Sequence, residues 1–189
     1  MDRQKSPSQD PDLEALRRCR QGEAQAFAEI MERHKNGVFR LIYRWVGQKE
    51  RAEELAQDVF LKAYRELANF REEAKFSTWI YQITLNRCRD YWRSQKRRPE
   101  NSVAPEAMFA EASEEPSPET RAGTLAEAER LRRALDALPG IYRDALSLRY
   151  FGDLNYEEMA EICGEGLSNL KMRVARGLAQ LRRKLEELQ

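Results

Sequence analysis

The stretch NYEEMAEICGEGLSNLKMRVARGLAQLRRK, residues 155–184, decides how the rest of the chain is interpreted. Asn155 followed three residues later by Glu158 is typical of a capping box, which begins a short helix that we expect to end near Ile162. Gly164 then supplies a stop, and a longer basic helix follows within about four residues. Two helices joined by a tight, glycine-containing turn predict a helix-turn-helix.

The second helix of this motif is the expected DNA reader. Residues 168–184 hold six basic side chains and no acidic one, whereas ordinary exposed helices usually interleave the two signs. In a helix-turn-helix the N-terminal part of the second helix, here residues 168–176, enters the major groove. Lys and Arg can donate to guanine edges or to phosphates, and the sequence does not separate these roles. The side chains expected to pack inward are Leu170, Val174, Leu178 and Leu181.

A second basic segment lies upstream, and an acidic one separates the two. Residues 87–98 hold six basic and one acidic side chain, and residues 99–120 hold six acidic and none basic. The formal net charge of +1 therefore conceals two cationic surfaces. Residues 99–120 also contain four of the seven prolines and little apolar surface, which predicts a flexible acidic linker.

The composition predicts an all-α protein of two small helical domains. The 189 residues are 41% hydrophobic and 34% charged and contain 9 glycines, which favours soluble helices over sheets. Two domains of about 80 residues each are viable. The expected segments are a disordered tail at 1–11, a first domain at 12–98, the linker at 99–120 and a second domain at 121–189.

Helical spacing places four helices in the first domain. Asp12 is a candidate N-cap, and Gly22 ends that short helix. The next helix carries an apolar stripe, closed by Gly47, of Phe27, Ile30, Met31, His34, Val38, Leu41, Ile42 and Trp45. A third helix spans Glu50 to about Leu67. After NFREEAK, residues 69–75, the last one starts at Ser77 or Thr78 and runs to Arg98.

Aromatic residues surround the first basic segment. They are Phe70, Phe76, Trp79, Tyr81, Tyr91 and Trp92. Cations beside aromatic faces suit single-stranded nucleic acid, whose unpaired bases can stack or enter a pocket. Phe76, Trp79 and Tyr91 fit the core better, because they share a stripe with Ile80 and Ile83. Phe70, expected in an exposed loop, and Asn86 are the better candidates for base contact.

The sequence argues against an enzyme, a metal protein and a membrane protein. Cys19, Cys88 and Cys163 show no pairing, and the single histidine, His34, is expected to be a hydrogen-bonded core or boundary residue. There is no glycine-rich phosphate loop, and we expect no cofactor. Without a signal peptide or a span of about 18 apolar residues, we expect a cytoplasmic protein with no stable membrane insertion.

Several motifs, in order, resemble the extracytoplasmic-function (ECF) class of RNA polymerase sigma factors, of the sigma-70 family. The resemblance covers residues 12–98 and 125–185. Its motifs are GEAQAFAEIMERH, AEELAQDVFLKAYREL, FREEAKFSTWIYQITLNRCRDYWR, LDALPGIYRDALSLRYFGDLNYEEMAEICG and the closing helix.

The resemblance implies partners and site residues. It implies binding to core polymerase, with contacts to the β′ clamp helices and the β flap, binding to promoter DNA, and control by an anti-sigma factor. The polymerase contacts it implies are Glu54, Gln57 and Asp58. The contacts to the −10 element, which the first domain is expected to melt, are Phe70, Arg71, Asn86, Arg89 and Arg93. The contacts to the −35 element are Arg149, Asn169, Lys171, Met172, Arg173, Ala175 and Arg176.

The turn of the helix-turn-helix departs from the family pattern. Glu165 replaces an apolar residue, and Gly166 stands where the family caps the reading helix with Ser. Two interpretations follow: either Leu167 repacks the turn and Ser168 becomes the cap, or Gly166 caps the helix. Met172 also replaces a small polar residue, which indicates an unusual −35 preference.

Two other functions compete with this hypothesis. A helix-turn-helix regulator that acts without polymerase explains the second domain equally well, but not the basic, aromatic segment of the first. A helical interaction protein with no nucleic-acid role would show a salt slope near zero, because only phosphate neutralisation releases counterions.

Overall fold

The computed structural model describes residues 10–97, 118–152 and 154–188, and nearly all of these residues are helical. The α-helices in these ranges are α1 (Leu13–Arg20), α2 (Ala26–Val46), α3 (Lys49–Arg65), α4 (Phe76–Arg97), α5 (Pro118–Asp136), α6 (Gly140–Phe151), α7 (Tyr156–Cys163) and α8 (Leu167–Glu187). Helices α1 to α4 form the first domain, and α5 to α8 form the second. The expected all-α, two-domain fold is confirmed.

The first domain packs around the apolar stripe of α2. Gly47 ends this helix in the left-handed conformation, with φ at 75°, as its sequence position predicts. The largest fully buried side chains of the domain include Leu16, Ile30, Leu41, Ile42, Leu55, Phe76 and Ile80. Met31 was wrongly placed in the stripe: it lies beside it and is 38% exposed.

The start of the domain is ordered by two aspartates. We expected the Asp12 side chain to cap α1, but it makes no capping hydrogen bond. Its buried carboxylate instead lies 2.6 Å from both Arg33 Nη1 and His34 Nε2. Asp10 accepts a hydrogen bond from Phe76 N–H at 2.7 Å, at the start of α4. Asp10 belongs to the predicted tail at 1–11 and makes this contact with the first domain, while residues 1–9 lie outside the described part. His34 is confirmed as a hydrogen-bonded boundary residue.

A loop that begins with a short 3₁₀ turn joins α3 to α4. A 3₁₀ turn, Leu67–Asn69, follows α3, and the chain then passes Glu72, whose φ is 40°. The guanidinium of Arg20 binds both the Phe70 carbonyl oxygen and the Glu72 carboxylate, which attaches this loop to α1. Helix α4 begins at Phe76, slightly before the expected Ser77 or Thr78.

The second domain contains the expected helix-turn-helix. Helix α5 begins at Pro118, inside the predicted linker, whose residues 99–117 lie outside the described part. The Asn155 side chain accepts from Glu158 N–H at 2.8 Å and the Glu158 carboxylate accepts from Asn155 N–H at 3.1 Å, so the capping box of α7 is confirmed. Gly164, with φ at 66°, ends α7.

The two domains lie against each other. Helix α4 packs on α7, and α2 packs on α6. The buried Tyr81 hydroxyl donates to the Gly152 carbonyl oxygen at 2.9 Å. Gly37 is needed at this contact, because a Cβ there would lie 2.1 Å from the Tyr81 hydroxyl oxygen.

Candidate nucleic-acid interface

A small open cavity lies where the α3–α4 loop meets α4. It has a volume of about 220 Å³ and is lined by residues that include Asn69, Phe70, Arg71, Thr78, Trp79 and Gln82. Phe70 is only 5% exposed, because the 3₁₀ turn directs it inward against Phe76 and Trp79, at ring-centroid distances of 5.6 and 5.2 Å. The expectation that Phe70 is an exposed loop residue was therefore wrong, although the residue lines the cavity. Arg71 is exposed at the rim.

The polar face of α4 continues from this cavity into a cleft between the domains. The cleft has a volume of about 290 Å³, and its lining includes Gln82, Asn86 and Arg89 of α4. Asn86 accepts a hydrogen bond from Arg89 Nη1 at 2.8 Å. Arg93 is exposed one turn further along and pairs with Asp90 at 2.8 Å. Asn86, Arg89 and Arg93 thus share one face of α4. The other two expected −10 residues lie in the preceding loop, where Arg71 is exposed and Phe70 is buried.

Gln82 is the residue that sequence reasoning missed on this face. It lines both the loop cavity and the interdomain cleft, and its Nε2 donates to the Ile162 carbonyl oxygen at 3.3 Å. The signal was available, because positions 82, 86, 89 and 93 fall on one face of a helix.

The expected polymerase surface lies on α3. Glu54, Gln57 and Asp58 are all exposed on this helix, as the sequence predicts. Asp58 pairs with Arg87 of α4 at 2.7 Å, so one cation of the first basic segment is compensated within the domain. This pair connects the α3 surface to the α4 surface.

The reading helix α8 begins at Leu167, with Gly166 as its N-cap in an extended conformation and without a side-chain cap. The interpretation that Gly166 caps the helix is therefore correct, and the one with Ser168 as the cap is wrong. Leu170 and Val174 are buried as expected. Leu178 is 40% exposed, because Gly177 takes the inward position against Tyr142 and Leu146.

Among the expected −35 residues, only Arg173 is not fully exposed. The exposed ones are Arg149, Asn169, Lys171, Met172, Ala175 and Arg176, and Met172 is 51% exposed. Lys171 Nζ lies 5.6 Å from the centroid of the Tyr156 ring, and the Arg149 guanidinium carbon lies 4.9 Å from it. Tyr156 thus positions two cations by cation–π contact, a role that sequence reasoning missed. Arg173 is half-buried and pairs with Glu165.

An arginine of the second domain is buried against tryptophans of the first. The Arg143 guanidinium carbon lies 3.8 Å from the Trp92 ring centroid and 4.9 Å from that of Trp45. Its Nη1 lies 3.6 Å from Asp136 Oδ1, and Trp92 Nε1 donates to that same oxygen at 3.2 Å. Burial lowers the pKa of Arg143 and raises the pKa of Asp136. This cluster holds α6 against α2 and α4.

Two of the three cysteines have thiols of low reactivity. Burial raises the pKa of the Cys88 thiol, and it raises the pKa of the Cys163 thiol to about 11, which makes both poor nucleophiles at neutral pH. Among the described residues, no group of three or more His, Cys, Asp or Glu side chains could hold a metal ion. No helix in the same part of the chain combines the length and apolarity needed to cross a bilayer.

Comparison with known proteins identifies the family. Residues 30–98 match the model of Sigma-70 region 2, and residues 128–181 match the model of Sigma-70 region 4. The chain is 31% identical to the RNA polymerase sigma-H factor of Pseudomonas aeruginosa, over 96% of this chain and 97% of the relative. It is 31% identical to the ECF RNA polymerase sigma-E factor of Escherichia coli K12, over 92% and 93%.

A solved structure shares the fold. It is the co-crystal structure of the sigma factor RpoE in complex with the anti-sigma factor NepR from Bartonella quintana. That chain is 21% identical to this one, with a TM-score of 0.58 over 85% of this chain and 96% of that one. The chain belongs to the ECF RNA polymerase sigma factors of the sigma-70 family, which are non-enzymatic subunits that direct RNA polymerase to promoters.

Proposed function

We propose that the two domains divide promoter recognition between them. In this proposal α4 and the preceding loop bind the melted −10 strand, and α8 reads the −35 duplex. This proposal rests on the observation that the domains present two separate surfaces. The first domain has a cavity bordered by Arg71 and Gln82, and the second exposes residues of α8. A cavity suits an extruded base, whose unstacking costs a few kcal/mol, while a helix face suits the major groove.

Three parts of the −10 surface support the first assignment. Trp79 is partly exposed and lines the cavity, so its ring offers a face on which a base can stack. Gln82 and Asn86 offer amide edges on the same face. Arg71 and Arg93 are exposed on either side of them and can neutralise phosphates.

Polymerase binding is assigned to α3 of the first domain. Glu54, Gln57 and Asp58 form an exposed acidic and polar face there, which we propose contacts the β′ clamp helices. We assign the β flap contact to the second domain. Since a sigma factor acts together with polymerase, the protein works in the cytoplasm.

We propose that an anti-sigma factor regulates this chain. The structural relative described above is bound to such a factor, and it shares the two-domain fold. In this structure the two domains are packed against each other, which we call the closed arrangement. Asn86 and Arg89 then line the cleft and face the second domain. A partner that binds both domains would keep these residues from promoter DNA.

Variants on α3 and on α8 test whether polymerase binding and −35 binding are carried by different surfaces. Asp58→Ala should weaken binding of the labelled chain to core polymerase, while Asp90→Ala, which removes another exposed carboxylate, should leave it unchanged. Lys171→Ala should weaken binding of the holoenzyme to the −35 element and leave polymerase association intact, with Arg182→Ala as its basic control. The division is wrong if Asp58→Ala and Lys171→Ala impair the same step.

A further inference from the structure

Glu165 is held rigidly in the turn of the helix-turn-helix. Its N–H donates to the Ala160 carbonyl oxygen at 3.1 Å, next to Gly164, which ends α7 in the left-handed conformation. This Schellman-type hydrogen bond fixes the point at which the side chain leaves the backbone. Only 13% of the Glu165 side chain is exposed. The carboxylate is therefore fixed beside α8.

Arg173 is the partner of Glu165. Its Nη1 lies 2.6 Å from Glu165 Oε1, and its side chain is 28% exposed. Oε1 is buried and has no hydrogen-bond partner with suitable geometry, so the carboxylate acts on the guanidinium through its charge, which compensates that of Arg173 and favours rotamers close to it. A guanidinium has five N–H donors, so this ion pair leaves other donors available to a ligand. Arg173 is thus oriented without being saturated.

The neighbouring cations are held in a different way. Arg149 and Lys171 lie over the Tyr156 ring, which orients them without placing a negative charge beside them. Cations of this kind suit phosphate contacts, which fix the position of a helix on the duplex but carry no sequence information. Arg173 alone among these three is paired with a carboxylate of the turn.

We propose that Glu165 is a positioning residue for Arg173 and determines the sequence selectivity of −35 recognition. It holds the guanidinium in the orientation that a guanine edge requires and keeps it from binding phosphates at any sequence. Both residues belong to the second domain, and Arg173 also lines the cleft between the domains, so separation of the domains gives DNA access to it. This inference rests on the proposed placement of α8 in the major groove.

The test uses holoenzyme assembled from the full chain and core polymerase. A promoter is first selected by the wild type from a randomised library, and binding to it is compared with binding to the same promoter carrying a scrambled −35 element. Glu165→Gln removes the negative charge and keeps a polar side chain. Glu165→Leu replaces the carboxylate with an apolar side chain. Both should lower the selectivity ratio about tenfold. Both should also steepen the slope of log affinity against log salt by roughly 0.9, because Arg173 gains a phosphate contact.

Matched variants separate positioning from general charge and from folding. Glu157→Gln removes an exposed carboxylate from α7 and should leave selectivity unchanged. Arg173→Gln should lower selectivity as much as Glu165→Gln, and the double variant should lose no more than either single one.

Additive losses in the double variant would overturn the inference, and so would an unchanged selectivity in Arg173→Gln. The Arg173→Gln variant tests the pair even if the Glu165 variants do not fold. Failure of the groove placement gives a different result, because the wild-type holoenzyme would then select no −35 sequence at all.

Discussion

Arg89 of α4 and Asp144 of α6 join the two domains through two charge-assisted hydrogen bonds to a single carboxylate oxygen. Arg89 Nε lies 3.0 Å and Nη2 lies 2.7 Å from Asp144 Oδ2. The Asp144 side chain is 9% exposed. We expect Arg89 to contact the melted −10 strand, and with the domains packed together this residue is held by the second domain. Under that proposal, binding of the −10 strand competes with the contact between the domains.

Asp144→Asn should favour the open arrangement. Loss of a charge-assisted hydrogen bond costs about 1–3 kcal/mol, and about 1 kcal/mol is a fivefold change in an equilibrium. We expect the free chain to bind a single-stranded −10 oligonucleotide about five- to tenfold more tightly, measured by fluorescence anisotropy. Glu32→Gln, which breaks an exposed pair within α2, away from the α4 face, is the control. An unchanged affinity in Asp144→Asn would show that this pair does not limit access to α4.

Arg143→Met should destabilise the interface between the domains. The guanidinium lies between Trp45 and Trp92 and beside Asp136, and its side chain is 5% exposed. We expect a loss of about 2–4 kcal/mol, from the desolvated cation–π contacts and the carboxylate left without this charge. Urea unfolding followed by tryptophan fluorescence measures it, because both rings report the cluster.

Two further variants control the Arg143 measurement. Arg143→Lys keeps the charge but not the planar stacking, and should fall between wild type and Arg143→Met. Arg133→Met, at an exposed arginine of α5, should cost under about 1 kcal/mol. Equal effects of the Arg143 and Arg133 variants would remove the special role of the cluster.

Gly37 and Tyr81 should be energetically coupled. Gly37→Ala forces the Tyr81 hydroxyl away from the Gly152 carbonyl oxygen, since the new Cβ would lie 2.1 Å from that hydroxyl. We expect a loss of about 1–3 kcal/mol for Gly37→Ala and about 1 kcal/mol for Tyr81→Phe. The phenylalanine ring lacks the clashing oxygen, so the double variant should lose less than the sum. Strict additivity in the urea midpoints would contradict the clash.

Asp12 should make the free energy of unfolding depend on pH in the acid range. Burial raises the pKa of Asp12, but hydrogen bonds and charges from His34 and Arg33 outweigh it and leave the pKa below its usual value. A carboxyl with a lowered pKa stabilises the fold above its unfolded pKa of about 3.9, and this contribution is lost as the pH falls through the folded pKa. Asp12→Asn should therefore flatten the stability profile below about pH 4.

Thermal unfolding between about pH 2.5 and 7 measures the effect of Asp12, with wild type and Asp12→Asn compared at each pH. The two chains should differ at pH 7 by roughly 1–3 kcal/mol, because the buried carboxylate is hydrogen-bonded, and converge in acid. Parallel profiles would mean that Asp12 does not carry the acid dependence. Glu14→Gln, at an exposed position of α1, is the control.

Elements bounded by local chemistry could be predicted from the sequence. Gly47 and Gly164 end helices because only glycine adopts their positive φ without strain, and the Asn155 capping box begins α7 through contacts three residues apart. The helix-turn-helix followed from these signals alone. The family resemblance then supplied the polymerase and promoter roles, which the periodicity does not contain.

Contacts set by tertiary packing could not be predicted. The Phe70 ring turns inward because a 3₁₀ turn follows α3, and nothing in NFREEAK marks that turn. Gly177 rather than Leu178 faces α6 because the helices approach closely there. The Arg89–Asp144 pair joins residues 55 apart in the chain, and no local pattern connects them.

Initiation in a defined system tests the central claim most directly. Core polymerase mixed with the full chain and a randomised promoter library should produce transcripts from a discrete set of promoters that share a −10 and a −35 element. Core polymerase alone should not produce them. The contrary result is a chain that binds duplex sites by itself and supports no specific initiation with core polymerase. That result would favour a helix-turn-helix regulator and contradict the division of promoter recognition between α4 and α8.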